Sequence, residues 1–318
     1  MLNLKLFPIV LTCDDKYAKY ASVTISSILE NLNKDYYYEI NILSDYISFE
    51  NQEMIQWQAR NIENVKIKFI ILDNVNNEDF YLNSYMTAST YFRLFIPAVF
   101  KEYDRILYLD CDLIINSDIS NLIDINFNGE LLAAVRDEYI FKYLKENNPK
   151  EGFCLDYLKN KLKMLDPYSY FNAGVLVYNL LEIRNQSLEM ECLNLLKDIS
   201  KPYYQDQDIL NSFVGSRKGG GKFISHLYNV NPGLYVPHSN RKRFILKFIF
   251  FRFFKKSSFF IYHFISSEKP WDTKRFDEII FYYYVFSKRT PKKFKNEIMK
   301  KRKVSWLYYA LLKSIILI

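Results

Sequence analysis

Residues that interrupt regular structure are scarce in this sequence. It contains 8 glycines and 9 prolines among 318 residues, and it shows no low-complexity segment, internal repeat or obvious flexible linker. This composition argues against fibrous, repetitive and disordered proteins. Hydrophobic residues make up 49% of the chain and aromatic residues 18%, so the chain can bury a substantial core in one large or two modest domains.

Cysteine and long apolar runs are also scarce. The four cysteines are widely separated, without C-x-x-C spacing or the density of a disulfide scaffold. The N-terminal apolar run lacks the basic flank, the length and the cleavage site of a secretory signal, so we predict a first strand there. The apolar run 304–318 has 15 residues interrupted by Lys313, fewer than the roughly 20 that cross a bilayer. We therefore expect a cytoplasmic protein with reduced thiols.

Charge is divided unevenly along the chain. Residues 241–318 carry 20 Lys or Arg against 5 Asp or Glu, a net charge of +15, and residues 1–240 carry 23 against 31, a net charge of −8. In the segment 241–256, cations alternate with large aromatic and aliphatic side chains. Such a division indicates a polyanionic partner for the basic end.

Three interpretations of this basic end are open. It can lie on an anionic membrane face, bind single-stranded nucleic acid, or form a helix that packs on the domain through its aromatic face. No signature of an RNA-binding module accompanies it, so we expect no nucleic-acid partner. We expect an anionic membrane surface as the partner, which places the protein peripherally on the inner face of the cell membrane.

Strand and helix patterns alternate through much of the sequence. Apolar runs bounded by turn residues predict strands, and apolar residues that recur on one face predict helices. The predicted strands are residues 6–12, 38–43, 66–72, 105–109 and 173–178. The predicted helices are residues 17–32, 48–60, 87–94 and 182–199, with another that begins at residue 206. This alternation predicts an α/β fold whose mostly parallel sheet is flanked by helices.

Acidic pairs follow two of the predicted strands. Asp14 and Asp15 come after the first strand, and Asp110 and Asp112 come after the fourth. Ligands of α/β sheets bind outside the carboxyl ends of the strands, so both pairs are expected to face one cleft. In an extended segment Asp110 and Asp112 point the same way while Cys111 turns inward, and two oxygen donors at that spacing suit Mg²⁺ or Mn²⁺. Taken alone, a short Asp-x-Asp motif is more often a solvated acidic turn.

Six separated segments occur in a particular order between about residue 6 and residue 272. They are 8–18, 90–94, 107–112, 170–175, 204–211, and His263 with the later run 269–271. Together they resemble the family 8 glycosyltransferases, which include glycogenin and bacterial lipopolysaccharide galactosyl- and glucosyltransferases. The resemblance implies a GT-A-type, Rossmann-like domain over residues 1–272. Residues 273–318 would then form a basic helical extension that associates with the membrane.

The resemblance also implies a chemistry. It implies retaining transfer of glucose or galactose from a UDP-sugar to a glycan or lipid-linked saccharide acceptor. The alternative is a non-catalytic carbohydrate-binding protein with the same fold, which should have lost a metal ligand or Lys269, and this sequence has not. Asp110, Asp112 and His263 would bind Mn²⁺ or Mg²⁺, which bridges the diphosphate and stabilises charge on the departing UDP. Without the resemblance, a histidine among aromatic residues is more often a core residue.

The remaining site residues are likewise implied by the resemblance. The implied donor-binding residues are Asp14, Asp15, Tyr17, Arg93, Asn172, Gly174 and Asp208. Lys269 would contact the diphosphate and oppose charge on the leaving group, and Asp206 would hydrogen-bond the sugar hydroxyls. Gln207 would lie near the anomeric face; because glutamine is a poor nucleophile, we expect departure and attack on the same face, with the leaving phosphate as base.

Each of these positions also has a simpler interpretation. Asp14 and Asp15 are typical of a helix N-terminus, where the helix dipole favours carboxylates. The run 205–208 is also consistent with a polar first turn of a helix. Arg93 and Lys269 are consistent with ordinary surface cations.

Overall fold

The structure, a computed structural model, describes residues 4–72, 80–81, 88–146, 154–184, 188–199, 201–231, 260–265, 269–271 and 289–301. Within these ranges the strands are β1 (Lys5–Thr12), β2 (Tyr36–Ser44), β3 (Val65–Ile71), β4 (Arg105–Leu109), β5 (Leu113–Ile115), β6 (Leu132–Arg136), β7 (Phe171–Asn179), β8 (Gly221–Phe223) and β9 (Ile261–His263). The α-helices are α1 (Ala18–Leu29), α2 (Phe49–Trp57), α3 (Ile96–Val99), α4 (Glu138–Lys145), α5 (Leu180–Ile183), α6 (Leu188–Asp198), α7 (Gln205–Gly215) and α8 (Lys292–Lys301).

All five predicted strands are present, as β1, β2, β3, β4 and β7. The helices predicted from residues 17, 48 and 206 correspond to α1, α2 and α7, and Ser48 caps α2 by accepting a hydrogen bond from the Asn51 backbone N–H. The helix predicted over 87–94 is instead a 3₁₀-helix, Ala88–Phe95. The helix predicted over 182–199 corresponds to α5 and α6, with residues 185–187 outside the described part.

The central sheet has the strand order β3-β2-β1-β4-β7-β6-β8. Neighbouring strands run parallel except at β7, which is antiparallel to both β4 and β6. The prediction of a mostly parallel sheet flanked by helices is therefore confirmed. Because β7 is reversed, its amino end lies at the same sheet edge as the carboxyl ends of β1, β4 and β6. A separate antiparallel pair, β5 with β9, lies beside this edge.

The core occupies both faces of the sheet. Side chains alternate along β1, so Ile9 packs in the layer that contains Ile25 of α1, whereas Val10 packs in the layer that contains Phe213 of α7. All four side chains are fully buried. Burial of each such side chain stabilises the fold by about 1.5–3 kcal/mol. The strands are thereby held in place, and with them the polar residues at their ends.

The described part of the predicted C-terminal extension packs on the domain. Helix α8 buries Phe294 and Ile298 against the body of the protein, and Phe294 packs in the layer that contains α1. Ion pairs join Lys293 to Glu50 and Arg289 to the end of α1 at Glu30. The segment 241–256 and residues 302–318 lie outside the described residues, so their membrane association and the boundary at residue 272 stay predictions. Among the helices that the structure describes, none combines the length and the apolar character that a bilayer crossing requires.

Candidate active site

The strand ends at one edge of the sheet open into a cavity of about 450 Å³. From β1 through β4, β7 and β6, the residues at this edge are Thr12, Asp110, Gly174 and Arg136, and all four line the cavity. The predicted site residues that line it are Tyr17, Arg93, Asp110, Asp112, Asn172, Gly174, Asp206, Gln207, His263 and Lys269. A cavity of this size accommodates a small-molecule ligand.

Two carboxylates and one imidazole converge at the centre of the cavity wall. Asp110 follows β4, Asp112 precedes β5, and His263 ends β9, which pairs with β5 so that Leu113 lies opposite His263. His263 Nε2 lies 3.4 Å from Asp110 Oδ2 and 3.2 Å from Asp112 Oδ1. Cys111, between the two acids, turns inward and contacts the Thr12 carbonyl oxygen. Ligand atoms of the three residues all lie within 4.8 Å of one another, close enough to share one cation.

The charges of this cluster depend on one another. Burial alone would lower the pKa of His263, but the Asp112 and Asp110 carboxylates raise it to about 9. Burial opposes ionisation of Asp110, yet Arg93 and His263 outweigh that effect and lower its pKa. For Asp112, Lys269 and His263 lower the pKa below its usual range against the same opposing effect of burial. Without a metal ion, the cluster is therefore an imidazolium held between two carboxylates.

The residues present fit a divalent cation. Asp112 Oδ1 is buried without a hydrogen-bond partner among the described residues, although it faces His263. His263 Nδ1 lies 2.9 Å from Asn229 Oδ1, and Asn229 Nδ2 donates to Asn172 Oδ1, so the Asn229 oxygen is the acceptor and Nδ1 keeps its proton. The nitrogen that loses its proton is then Nε2, which faces both carboxylates. Two carboxylate oxygens and one imidazole nitrogen are a ligand set that Mn²⁺ accepts.

Position 174 has room only for glycine. A Cβ atom there would lie 2.1 Å from His263 Cε1 and 2.9 Å from Asp110 Oδ2. The Gly174 backbone also pairs with the acidic turn, because its carbonyl oxygen accepts from the Asp110 N–H at 2.9 Å. The glycine therefore lets β7 approach the three candidate ligands.

Lys269 contacts the cluster directly. Its Nζ donates to Asp112 Oδ2 at 2.5 Å and to the Phe264 carbonyl oxygen at 2.7 Å. The ammonium thus lies next to the candidate cation position, at the cavity wall. Its predicted contact with a diphosphate requires it to give up or share its contact with Asp112.

Arg93 is buried and pairs with two aspartates, so it is not a surface cation. Its side chain is 7% exposed, and its guanidinium lies 3.0 Å from Asp110 Oδ1 and 2.7 Å from Asp206 Oδ2. Its Nη1 donates to the Ala173 carbonyl oxygen at 2.5 Å, and its Nε donates to the Thr90 carbonyl oxygen at 3.1 Å. These contacts to the protein use donors that a bound phosphate would otherwise take. Arg93 therefore positions Asp110 and Asp206.

Asp206 is less strongly ionised than Asp110. Burial raises the pKa of Asp206 to about 6, and the neighbouring Arg93 only partly opposes this effect. The Thr90 hydroxyl donates to Asp206 Oδ1 at 3.1 Å. The Asp206 carboxylate lies on the cavity wall at the start of α7.

Gln207 is held by contacts with Ala173 of β7, with Tyr170 just before β7, and with Asp137 at the start of α4. Its Oε1 accepts from the Ala173 N–H at 2.9 Å, and its Nε2 lies 3.2 Å from the Tyr170 hydroxyl and 3.5 Å from Asp137 Oδ2. Asp137 was not predicted as a site residue, although it lines the cavity. It caps α4 through the Ile140 N–H, and burial raises its pKa. Its position directly after β6 is a signal of the kind that identified Asp110, but β6 itself was not predicted.

The structure does not place every predicted residue in the cavity. Of the predicted residues, all of which the structure describes, Asp14, Asp15 and Asp208 lie outside the cavity lining. Asp208 is fully buried and accepts hydrogen bonds from the Tyr157 and Tyr170 hydroxyls at 2.7 and 2.6 Å. Its carboxylate holds the start of α7, which places its neighbours Asp206 and Gln207.

The two acids after β1 accept hydrogen bonds from groups beside the starts of α1 and α2. Asp14 Oδ1 accepts from the Tyr17 N–H at 2.8 Å, at the start of α1. Asp15 Oδ1 accepts from both the N–H and the hydroxyl of Ser48, each at 2.8 Å, and from Asn51 at 2.7 Å. These bonds match the simpler interpretation of the pair, and a nucleoside contact by either carboxylate stays a prediction. Tyr17 itself lines the cavity beside the end of β1.

A mostly parallel sheet with candidate metal ligands at its strand ends is the architecture of GT-A-type glycosyltransferases. The chain is similar over its whole fold to two solved structures. One is the apo bifunctional glycosyltransferase WbbM, with a TM-score of 0.73 and 26% identity over 94% of this chain and 52% of that one. The other is an active-site mutant of LgtC, with a TM-score of 0.70 and 24% identity over 91% of this chain and 99% of that one, a likeness of fold alone.

The chain belongs to glycosyl transferase family 8, whose sequence profile matches residues 8–275. A putative glycosyltransferase of Haemophilus influenzae is 32% identical over 228 residues, which cover 70% of this chain and 63% of that protein. A lipopolysaccharide 1,2-glucosyltransferase of Escherichia coli is 29% identical over 263 residues, which cover 81% of this chain and 71% of that protein. The family profile therefore spans most of the chain, whereas the chain spans less than two thirds of the Haemophilus relative's length.

Proposed function

We propose that the protein is a metal-dependent retaining hexosyltransferase. It moves glucose or galactose from a UDP-sugar to a glycan or lipid-linked saccharide. The observation that carries this proposal is the convergence of Asp110, Asp112 and His263, with Lys269 beside them, in a cavity at the strand ends. Carboxylates and an imidazole that hold a divalent cation, next to a fixed ammonium, are suited to binding a diphosphate.

Relatives support the choice of sugar and acceptor. Similar proteins include lipopolysaccharide 1,2-glucosyltransferases of Escherichia coli and a lipopolysaccharide 1,3-galactosyltransferase of Salmonella typhimurium. We infer that the acceptor of this chain is likewise a saccharide of a lipopolysaccharide-type glycan. The donor is then a UDP-hexose.

The residues of the cavity account for the steps of such a transfer. The bond from the sugar anomeric carbon to the UDP oxygen breaks, a bond to the acceptor oxygen forms, and the acceptor proton passes to the leaving phosphate. Asp110, Asp112 and His263 would hold Mn²⁺ or Mg²⁺, which as a Lewis acid stabilises charge on the diphosphate. Lys269 supplies a further positive charge at the same place. Asp206 would hydrogen-bond the sugar hydroxyls.

Gln207 is placed to orient the reacting sugar rather than to attack it. Its amide is held between the Ala173 N–H and the Tyr170 hydroxyl, and an amide is a poor nucleophile. We infer that leaving and attack occur on one face, with the departing phosphate as the base. The amide dipole then stabilises positive charge that develops on the sugar ring.

The test of this function is a panel of nucleotide sugars. The full chain is incubated with Mn²⁺ and each of UDP-glucose, UDP-galactose, GDP-mannose and ADP-glucose, and nucleotide release is measured with and without a lipopolysaccharide core acceptor. We expect UDP release from one of the UDP-hexoses, faster with acceptor and abolished by EDTA. Release from GDP-mannose or ADP-glucose alone, or release unaffected by EDTA, would refute the proposal.

Binding of the metal ion will release protons. Since the carboxylates raise the pKa of His263 to about 9, its imidazole is protonated at pH 7.5 and must lose a proton to become a ligand. We therefore expect about one proton per Mn²⁺ bound at pH 7.5, and an affinity that rises with pH until about 9. Calorimetric titrations in two buffers of different ionisation enthalpy measure this number, and His263→Gln should release none. A value near zero in the unsubstituted protein would contradict binding by a protonated His263.

The same pKa makes a prediction for the metal-free protein. The folded pKa of about 9 exceeds the ordinary value of 6.5, so the imidazolium pair stabilises the fold below pH 6.5. That contribution is lost as the pH rises through 9.

Membrane attachment through the basic end remains a separate proposal, based on the net charge of +15 in residues 241–318.

A further inference from the structure

Arg136 is a cavity residue whose guanidinium has no acidic partner in the described part of the protein. It ends β6 and lines the cavity. Among the described residues its side chain makes neither an ion pair nor a hydrogen bond, and its Nε is buried without a hydrogen-bond partner. A buried unpaired N–H of a charged group is costly unless a ligand satisfies it.

The guanidinium is nevertheless held in place. Its central carbon lies 4.8 Å from the centre of the Phe141 ring and 4.7 Å from the centre of the Phe223 ring. Aromatic faces attract and orient a guanidinium but accept none of its in-plane hydrogen bonds. The side chain is thus fixed, while its donors are left for another group.

The topology places Arg136 away from the donor end of the cavity. The strand ends follow in the order Thr12 of β1, Asp110 of β4, Gly174 of β7 and Arg136 of β6. At a spacing of about 4.8 Å between strands, Arg136 is roughly 10 Å from the strand that carries Asp110. That separation leaves room for a sugar between the two positions. Tyr139, which is 44% exposed, also lines the cavity.

We propose that Arg136 binds an anionic group on the acceptor saccharide, a phosphate ester or a carboxylate. This inference rests on the proposed function for its division of the cavity into donor and acceptor ends. A planar guanidinium pairs with either anion through two parallel charge-assisted hydrogen bonds. The carboxylate of the adjacent Asp137 does not pair with the Arg136 guanidinium, because it caps α4 and lies near Gln207. Arg136 would therefore select acidic acceptors over neutral ones.

This proposal can be tested with three sugars that differ only at carbon 6. Glucose, glucose 6-phosphate and glucuronic acid are titrated into the full chain with UDP and Mn²⁺ present, so that donor-side cations are occupied. We expect one or both acidic sugars to bind at least about 10-fold more tightly than glucose, the effect of one charge-assisted pair. Which acidic sugar binds more tightly distinguishes a phosphate from a carboxylate. Binding of UDP, measured first, reports separately on the proposed function.

Variants separate recognition from a structural role. Arg136→Met keeps an apolar contact with both rings and should abolish the preference for acidic sugars, with glucose and UDP binding unchanged. Arg136→Lys keeps the charge and should retain part of the preference. Arg60→Met is the matched control, because Arg60 also stacks on an aromatic ring, Trp57 at 3.8 Å, but lies outside the cavity lining. Equal binding of the three sugars by the unsubstituted protein, or a preference that survives in Arg136→Met, would overturn the proposal.

Discussion

Replacing Asp112 by asparagine is expected to lower the rate of sugar transfer at least about 1000-fold. This corresponds to about 4 kcal/mol of lost transition-state stabilisation, within the several kcal/mol that a Lewis-acid ion supplies. Asp112 lies 3.2 Å from His263 and is held by Lys269, so the substitution removes a candidate ligand and leaves two cations without their shared carboxylate. Initial rates at saturating Mn²⁺, with the donor that the nucleotide-sugar panel identifies, measure the effect.

The matched control is Asp124→Asn. Asp124 is also an ion-paired aspartate, bound to Lys5 and Tyr36, but it is more exposed and lies outside the cavity lining. Its replacement should change the transfer rate less than twofold, because exposed ion pairs contribute roughly 0–1 kcal/mol and this one touches no reacting group. A rate for Asp112→Asn within tenfold of the unsubstituted protein would contradict the assignment of this residue to the metal site.

The largest loss of stability is expected from Arg93→Met. The guanidinium is the charge partner of Asp110 and Asp206, and its side chain is 7% exposed. Removing one partner of a buried ion pair leaves uncompensated charge, so the free energy of unfolding should fall by about 3–5 kcal/mol. Urea denaturation with an unchanged m-value measures this difference. Arg289→Met is the control, because its side chain is 40% exposed and pairs only with Glu30 among the described residues, so its loss should cost about 1 kcal/mol or less.

A second substitution shows whether the loss of stability in Arg93→Met comes from leaving Asp206 unpaired. Asp206 has a pKa raised to about 6 by burial, so it is the easier of the two acids to neutralise. Arg93→Met combined with Asp206→Asn should cost less than the sum of the two single losses, with a coupling of about 1–3 kcal/mol. Strict additivity would mean that Arg93 stabilises the fold through its other contacts, with Asp110 and the Tyr108 ring.

Much of the fold could be predicted because strands and strand ends leave local signals. The apolar runs that predicted β1, β2 and β4 are largely buried on both faces of the sheet, and the Asp110 and Asp112 pair lies where such a sheet binds ligands. Strand direction leaves no such signal, so the reversal of β7 was not predicted. Strand β6 was missed because two of its five residues are alanine, which is depleted in strands.

The site was predictable where residues are close in sequence and less so where tertiary contacts decide their role. The resemblance identified His263, but its approach to Asp112 depends on the pairing of β5 with β9. The position of Arg93 between Asp110 and Asp206 joins residues up to 113 positions apart, so no local pattern reveals that it is buried. Asp15 shows the converse: it also follows a strand, but its carboxylate bonds to Ser48 and Asn51 and lies outside the cavity lining.

The central claim is that Asp110, Asp112 and His263 bind one divalent cation at which the donor diphosphate is held. Electron spin echo modulation of Mn²⁺ bound to the full chain, with all three histidines labelled with ¹⁵N, tests it directly. We predict a coupling from one directly bound imidazole nitrogen, lost in His263→Gln and retained when His226, on the same cavity wall, is replaced by Gln. Bound Mn²⁺ without a nitrogen coupling, or a coupling that survives His263→Gln, would contradict the account.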